Sequence, residues 1–135
     1  MGGQWTVDYS HFVTNNLTGK VTSLSSDSWS ITSACGNGSC SARLSGTFQD
    51  KTLNMTLRPR HGTYSGKATI KGYIQCKETT VKEPNYLTFT LKPTAGSVVG
   101  DQWEASTFTG TFSDTVPYFG GCSSAGFSSQ MHGSM

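Results

Sequence analysis

The chain has 135 residues, of which 13% are charged, and a formal net charge of +2. This length allows a single domain with one hydrophobic core, and the weak charge argues against nucleic acid or an anionic membrane surface as a partner. No apolar run approaches the roughly 18 residues of a transmembrane helix, and the first ten residues lack the basic and apolar regions of a signal peptide. We therefore expect no direct membrane insertion, and either a cytoplasmic protein or an excised part of an exported one.

Apolar and polar residues alternate along most of the chain, which is typical of β-strands with one buried face. The alternating sets, in chain order, are Trp5, Val7 and Tyr9; Trp29, Ile31 and Ser33; Cys40, Ala42 and Leu44; Leu53, Met55 and Leu57; Tyr64, Ala68, Ile70, Ile74 and Cys76; and Leu87, Phe89 and Leu91. We expect the last of these strands to end at Pro93, and no amphipathic helix is predicted.

The last alternating segment, "QWEASTFTGTF", changes parity between Trp103 and Phe108, which predicts a β-bulge. Between the periodic segments, "GNGS", "PRHG", "KEPN" and "PTAG" carry the residues of turns. Seven or eight short strands joined by local turns predict an all-β fold, and we favour an antiparallel up-and-down β-barrel of about eight strands, lipocalin- or avidin-like, because closure removes exposed edges. A β-sandwich is the alternative.

Both ends of the chain are left out of this prediction. "MGG" at the start and "MHGSM" at the end resemble residues added by cloning, and a Gly/Ser-rich tail is expected from about Gly120. The fold is therefore expected to be one β domain within residues 1–135, with irregular termini.

The four cysteines predict disulfide bonds. If Asn37 and Gly38 form a two-residue turn, Cys35 and Cys40 are directly opposite each other across the hairpin, within disulfide reach. Of the three possible connectivities, the simplest then pairs Cys76 with Cys122; this bond closes a loop of about 47 residues and contributes on the order of 4 kcal/mol. The spacing lacks the rhythm of a zinc site, so we expect a secreted or extracytoplasmic protein.

The segment "WSITSACGNGSCSARL" resembles extracytoplasmic domains of actinobacterial proteins, including the sensor-like ectodomains of mycobacterial-type Ser/Thr protein kinases and related secreted proteins. The matching positions are Trp29, Ser33, Cys35, Cys40 and Ala42, with looser likeness at Gly3 and Trp5 and at Leu91, Pro93 and Gly96 between Cys76 and Cys122. The resemblance implies a sensor-like or ligand-binding ectodomain without catalysis, and it carries over no binding residues.

Candidate site residues each have a structural alternative. Glu104 faces either the barrel interior, as a ligand anchor or acid, or solvent. Arg58 and Arg60 in "RPRHG" either hold a phosphate or carboxylate or belong to a solvated turn. The aromatic residues either line a ligand cavity or pack the core; they are Trp5, Tyr9, Trp29, Tyr64, Tyr73, Phe89 and Trp103.

No catalytic motif, cofactor or metal site is predicted, because nucleophile signatures are absent and the three histidines are widely spaced. The favoured function is a non-catalytic domain that binds a small apolar molecule or a cell-envelope component. One alternative is a small barrel enzyme of the cyclase or isomerase type, which folds an apolar substrate in its cavity. Another is an inhibitor or adhesion module that uses an exposed loop at residues 94–102; dense packing inside the barrel would favour this last hypothesis.

Overall fold

The computed structural model describes the backbone of residues 2–15, 22–36, 39–76, 79–99, 102–116 and 125–135. Within these, side chains are described for residues 2–14, 22–32, 41–70, 85–98, 104–115 and 126–135. Among the described residues, no helix is long and apolar enough to cross a membrane.

The described chain forms eight antiparallel strands. They are β1 (Gly3–Asn15), β2 (Asp27–Gly36), β3 (Ser39–Phe48), β4 (Lys51–Arg60), β5 (Thr63–Cys76), β6 (Thr79–Val99), β7 (Gln102–Val116) and β8 (Ala125–Ser134). Each strand pairs with the next, and β8 pairs with β1, so the sheet closes into a barrel. The predicted up-and-down barrel is confirmed, and the sandwich alternative is wrong.

The barrel has two ends that alternate along the chain. The β2–β3 and β4–β5 turns and both termini of the barrel, Gly3 and Ser134, lie at the end that we call lower. The β3–β4 turn, the β5–β6 hairpin, the end of β7 and the start of β8 lie at the upper end. His61 and Gly62, in the "PRHG" turn, both have positive φ angles, of 51° and 81°, as a two-residue type I′ hairpin turn requires.

Those alternating apolar residues whose side chains are described face inward, as predicted, and aromatic rings fill the middle of the barrel. Phe112 has its ring centroid 5.4 Å from that of Tyr9, 5.2 Å from Phe48 and 5.8 Å from Phe89. Such ring pairs add stability beyond their buried area. The buried apolar core comprises Trp5, Val7, Trp29, Ile31, Ala42, Leu44, Phe48, Leu53, Met55, Leu57, Leu87, Phe89, Leu91, Ala105, Phe108, Phe112 and Met131.

Two sequence predictions about strand limits are wrong. β6 does not end at Pro93: it continues to Val99 after register shifts against β7, and both "KEPN" and "PTAG" lie within it. A bulge lets a proline remain in a strand because the ladder is already interrupted there. The expected irregular tail is instead β8 over Ala125–Ser134, which pairs with both β7 and β1 and closes the barrel.

Candidate functional site

Two of the three tryptophans predicted as ligand-binding candidates belong to the core. Trp5 and Trp29 are at most 2% exposed, and the centroids of their rings lie 5.1 and 6.0 Å from that of Phe108. The indole nitrogen of Trp29 donates a hydrogen bond to a backbone oxygen of β3 at 3.0 Å. Tyr64 is half-buried at the edge of this core. The side chain of Trp103 lies outside the described residues.

Tyr9 is anchored by a buried carboxylate. Its hydroxyl donates to Oδ2 of Asp27 at 2.5 Å, and Asp27 also accepts from the backbone N–H of Gln49 at 2.9 Å and from the side chain of Thr47 at 3.3 Å. Burial raises the pKa of Tyr9, and the hydrogen bond to Asp27 raises it further. The tyrosine therefore stays neutral and ties β1 to the start of β2 and the β3–β4 turn. Asp27 was not among the predicted site residues, although it shares the parity of Trp29 and Ile31, because the apolar pattern begins only at Trp29.

Glu104 does not face the interior. Its side chain is exposed, and its neighbour Ala105 is buried. Phe108 is also buried although it has the opposite parity from Ala105, because the β6–β7 register shifts between them. The bulge predicted in this segment is confirmed, and the interpretation of Glu104 as an inward-facing anchor is wrong.

Arg58 and Arg60 lie on the exposed face of β4, next to the β4–β5 turn. Arg58 pairs in register with Ser65, and Arg60 pairs with Thr63, whose hydroxyl donates to the Arg60 backbone oxygen at 2.8 Å. Because these side chains point outward, they lie away from the buried tryptophans, and the structure does not combine the two predicted groups into one site.

A groove opens beside Arg58 where β4 and β5 separate. The two strands pair only from Arg58 to Arg60 with Thr63 to Ser65, whereas β5 continues upward in register with β6. The resulting depression has a volume of about 430 Å³ and is lined by Thr56, Arg58, Ser65, Gly66, Lys67 and Thr88. We call it the β4–β5 groove.

Glycine allows β5 to pass closely over the core at the base of this groove. A Cβ atom on Gly66 would lie 2.6 Å from the sulfur of Met55 and 3.0 Å from a methyl group of Leu57. Any larger residue would push β5 away from β4, so Gly66 sets the depth of the groove.

The groove is cationic and rich in hydroxyl groups. Arg58 and Lys67 are both exposed, and neither makes an ion pair or a side-chain hydrogen bond with a described residue. The other described polar side chains that line it are those of Ser65, Thr56 and Thr88, and none of the described lining residues is a carboxylate. Arg43 adds a third exposed cation, because it is paired in register with Thr56 on the neighbouring strand. This set can bind an anion through charge-assisted hydrogen bonds.

Arg58 was predictable from the sequence as a candidate anion ligand, whereas Lys67 and Arg43 were not. Lys67 is nine residues further along the chain, and only the register of the β4–β5 hairpin brings it to the same face. The basic hairpin itself was the available signal: exposed positions on both of its strands carry cations.

Histidine and acidic side chains form no metal site in the part of the chain that the structure describes. Among the described residues, no three His, Cys, Asp or Glu side chains lie close enough to hold a metal ion. His61 occupies a turn and His132 is exposed on β8.

The cysteine predictions rest partly on residues outside the description. The backbone register pairs Cys35 with Cys40 directly across the β2–β3 hairpin, which confirms the predicted hairpin register. Cys76 ends β5 at the upper end, and Cys122 lies outside the described residues. The described side chains do not include these sulfur atoms, so both disulfides stay predictions.

Comparison with solved structures finds the same fold in a bacterial sensor domain. The chain resembles the monomer form of the PknI sensor domain from M. tuberculosis, with a TM-score of 0.60 and 10% sequence identity, over 99% of this chain and 86% of that chain. No protein-family model and no curated protein matches the chain. At this identity the likeness establishes the barrel fold, which is the fold of a mycobacterial sensor domain.

Proposed function

We propose that this chain is a non-catalytic, extracytoplasmic sensor domain that recognises an anionic component of the cell envelope in the β4–β5 groove. The observation that carries the proposal is a pair of exposed cations, Arg58 and Lys67, that have no partner among the described residues and line a groove of about 430 Å³. The sensor role is further supported by the fold shared with the PknI sensor domain and by the sequence resemblance at residues 29–42. The extracytoplasmic setting is supported by the cysteine pattern.

A site on the outside of the barrel suits this protein better than a cavity inside it. The interior positions hold large rings in mutual contact: Trp29 lies between Phe89, at 5.5 Å, and Phe108, at 6.0 Å. A buried apolar ligand would have to displace such rings, at the cost of their packing. This packing disfavours both the apolar-ligand hypothesis and the barrel-enzyme hypothesis, since each needs a hollow interior.

The groove favours a phosphate- or carboxylate-bearing ligand. The guanidinium group of Arg58 can donate two parallel hydrogen bonds to such a group, and Lys67 can provide a second positive charge. The volume of the groove is within the range of small-molecule sites, so one or two anionic groups of a larger molecule fit it. Because the groove is open to solvent, binding should weaken as salt is added.

NMR titration with inorganic phosphate and with short-chain polyphosphate tests the site. We expect the largest amide shifts at Ser65, Gly66 and Lys67, and an affinity about tenfold lower in Arg58→Gln and Lys67→Gln at low ionic strength. Lys51→Gln is the matched control, because it removes one exposed charge from the opposite end of β4 without lining the groove. Equal weakening by the control would show a diffuse charge effect, and the absence of shifts in the groove would reject the site.

An interaction module based on an exposed ribbon is a second candidate. Beyond Pro93, β6 and β7 extend past the barrel, and the side chains of residues 94–98 are all exposed. Val98 is 70% exposed, which is unusual for a large apolar side chain in a strand. Amide shifts confined to residues 94–98 in the same titration would favour this function instead.

A further inference from the structure

A polar pair interrupts the apolar interior near the upper end of the barrel. Asn85 on β6 and Asp114 on β7 occupy inward positions, next to Leu87, with which Asp114 is paired in register. The side-chain nitrogen of Asn85 donates to Oδ2 of Asp114 at 3.2 Å. Asp114 is only 6% exposed, so its carboxyl group has little access to bulk water.

Each member of the pair keeps one buried oxygen without a donor. Oδ1 of Asn85 and Oδ1 of Asp114 have no hydrogen-bond partner among the residues that the structure describes. Buried acceptors in native proteins nearly always have a donor, because the lost hydration is otherwise uncompensated. The two side chains already share one hydrogen bond, yet each still has an acceptor without a donor. A hydrogen atom between Oδ1 of Asn85 and Oδ1 of Asp114 would satisfy both acceptors.

The neighbouring strands bring no described cation to Asp114. On β8, Phe127 is its register partner and Gly126 packs against its backbone oxygen, while on β5 the register partner of Asn85 is Ile70. The described inward-facing titratable groups on β1 and β2 are Tyr9 and Asp27, which bond to each other. Lys67, Lys92 and His132, on β5, β6 and β8, are at exposed positions.

A protonated carboxyl group satisfies both oxygens at once. If Oδ1 of Asp114 carries the proton, it can donate to Oδ1 of Asn85 while Oδ2 continues to accept from the amide nitrogen. The two side chains then form a cyclic pair with two hydrogen bonds, as an amide and a carboxylic acid do. Burial raises the pKa of Asp114 to about 6, although the hydrogen bond from Asn85 lowers it.

We propose that Asp114 and Asn85 form a proton-dependent pair with two hydrogen bonds, which makes the barrel more stable in mildly acidic than in neutral solution. The proton binds to Oδ1 of Asp114 and comes from solvent, and its loss restores a buried carboxylate beside an unpaired amide oxygen. This inference concerns the interior of the barrel, so it does not depend on the function proposed for the β4–β5 groove.

The direction of the effect follows from linkage. The folded-state pKa of Asp114, about 6, is above its ordinary value of 3.8, so between these pH values the folded protein binds more protons than the unfolded chain. Stability from this group is therefore gained as pH falls from 7 to 4. For these two pKa values, the unfolding equilibrium constant should change about 60-fold between pH 7.5 and pH 4.

The decisive variant is Asp114→Asn, which replaces the acid with an amide that supplies the hydrogen permanently. We expect it to be more stable than wild type at pH 7.5, and we expect the ratio of the two unfolding equilibrium constants to change about 60-fold between pH 7.5 and pH 4. Glu104→Gln is the control: it makes the same charge change at an exposed position, and its ratio to wild type should change little.

A titration of wild type makes the test independent of any variant. The carboxyl ¹³C resonance of Asp114 should titrate with a midpoint near 6, well above that of an exposed aspartate. A midpoint near or below the ordinary value would overturn the proposal. The proposal would also be overturned if Asp114→Asn were less stable than wild type at pH 7.5 and the ratio of their unfolding equilibrium constants did not change with pH. The ionised carboxylate would then have a hydrogen-bond donor other than Asn85.

Discussion

The replacement Gly133→Ala tests how the last strand closes the barrel. Gly133 lies on β8 opposite Phe108 of β7 and Val7 of β1. A Cβ atom at this position would lie 2.0 and 2.2 Å from two ring carbons of Phe108. Real Cβ contacts almost never fall below 3.0 Å, so the ring must retreat by about 1 Å.

The cost of that retreat should be large for a single methyl group. Phe108 is completely buried, and its ring contacts Trp5 and Trp29, so a shift of the ring passes to both indoles. Overpacking of this kind costs about 1–3 kcal/mol of stability. We expect a value near the upper limit, because the contacting atoms belong to a rigid buried ring and not to the end of a flexible side chain. A strand glycine without such a contact would instead gain about 0.5–1 kcal/mol on replacement by alanine. The sign of the change alone thus separates the two cases.

A double-mutant cycle measured by urea unfolding provides the assay. We expect Gly133→Ala to lower the free energy of unfolding by about 3 kcal/mol in wild type and by less than half of that in Phe108→Leu, where the ring is absent. Gln130→Ala, at an exposed position on the same strand, should stay within about 0.5 kcal/mol. Additive effects of the two core changes, or a stabilising Gly133→Ala, would refute the close packing of β8 over Phe108.

Three further changes test other parts of the structure. Tyr9→Phe should lower the free energy of unfolding by about 1–3 kcal/mol in urea, because it removes the hydrogen bond to the buried Asp27; the exposed Tyr86→Phe should have almost no effect. His61→Asn should raise the free energy of unfolding by about 0.5 kcal/mol and so raise the thermal midpoint slightly. Asparagine before Gly62 suits the positive φ of 51° better than histidine does. Protein purified from an oxidising compartment should gain about 4 Da on reduction and lose stability; an unchanged mass would reject both disulfides.

The fold was predictable where core residues alternate with polar ones in one continuous strand. In β4, the residues Leu53, Met55 and Leu57 are all buried, and their neighbours are mostly exposed. The parity of Trp5 and Val7 in β1 is equally clear. Such patterns fix which face of each strand is buried, and short turns favour pairing between neighbouring strands. Closure into a barrel then follows from the need to remove exposed strand edges, and it does not depend on a family resemblance.

The last strand was not predictable from alternation, because its inward positions are small. On β8, Ser129 and Gly133 face the interior alongside Met131, and the space above Gly133 is filled by the ring of Phe108 from the neighbouring strand. The alternation of residue types along a strand shows only the size of each residue's own side chain. It does not record the volume that a partner strand contributes across the ladder.

The candidate site was only half predictable for a related reason. The cluster around Arg58 was visible in the sequence, but the groove exists because β4 and β5 separate after three register pairs. Where paired strands part depends on the closure of the whole barrel. The orientation of Glu104 also depended on the position of a bulge, which the sequence located only to within a few residues.

The packing of the described interior bears on where the proposed ligand could bind. The inward glycines Gly110 and Gly133 make room for the side chains of neighbouring strands, and a Cβ atom on Gly110 would lie 2.2 Å from a backbone oxygen of β6. Complementary large and small residues therefore leave the described interior filled by the protein itself. If this protein binds a ligand, as proposed, we therefore expect it on an outer face, at a hairpin or where two strands separate. Of these, the β4–β5 groove is the described feature that combines a concave shape with unpaired charge.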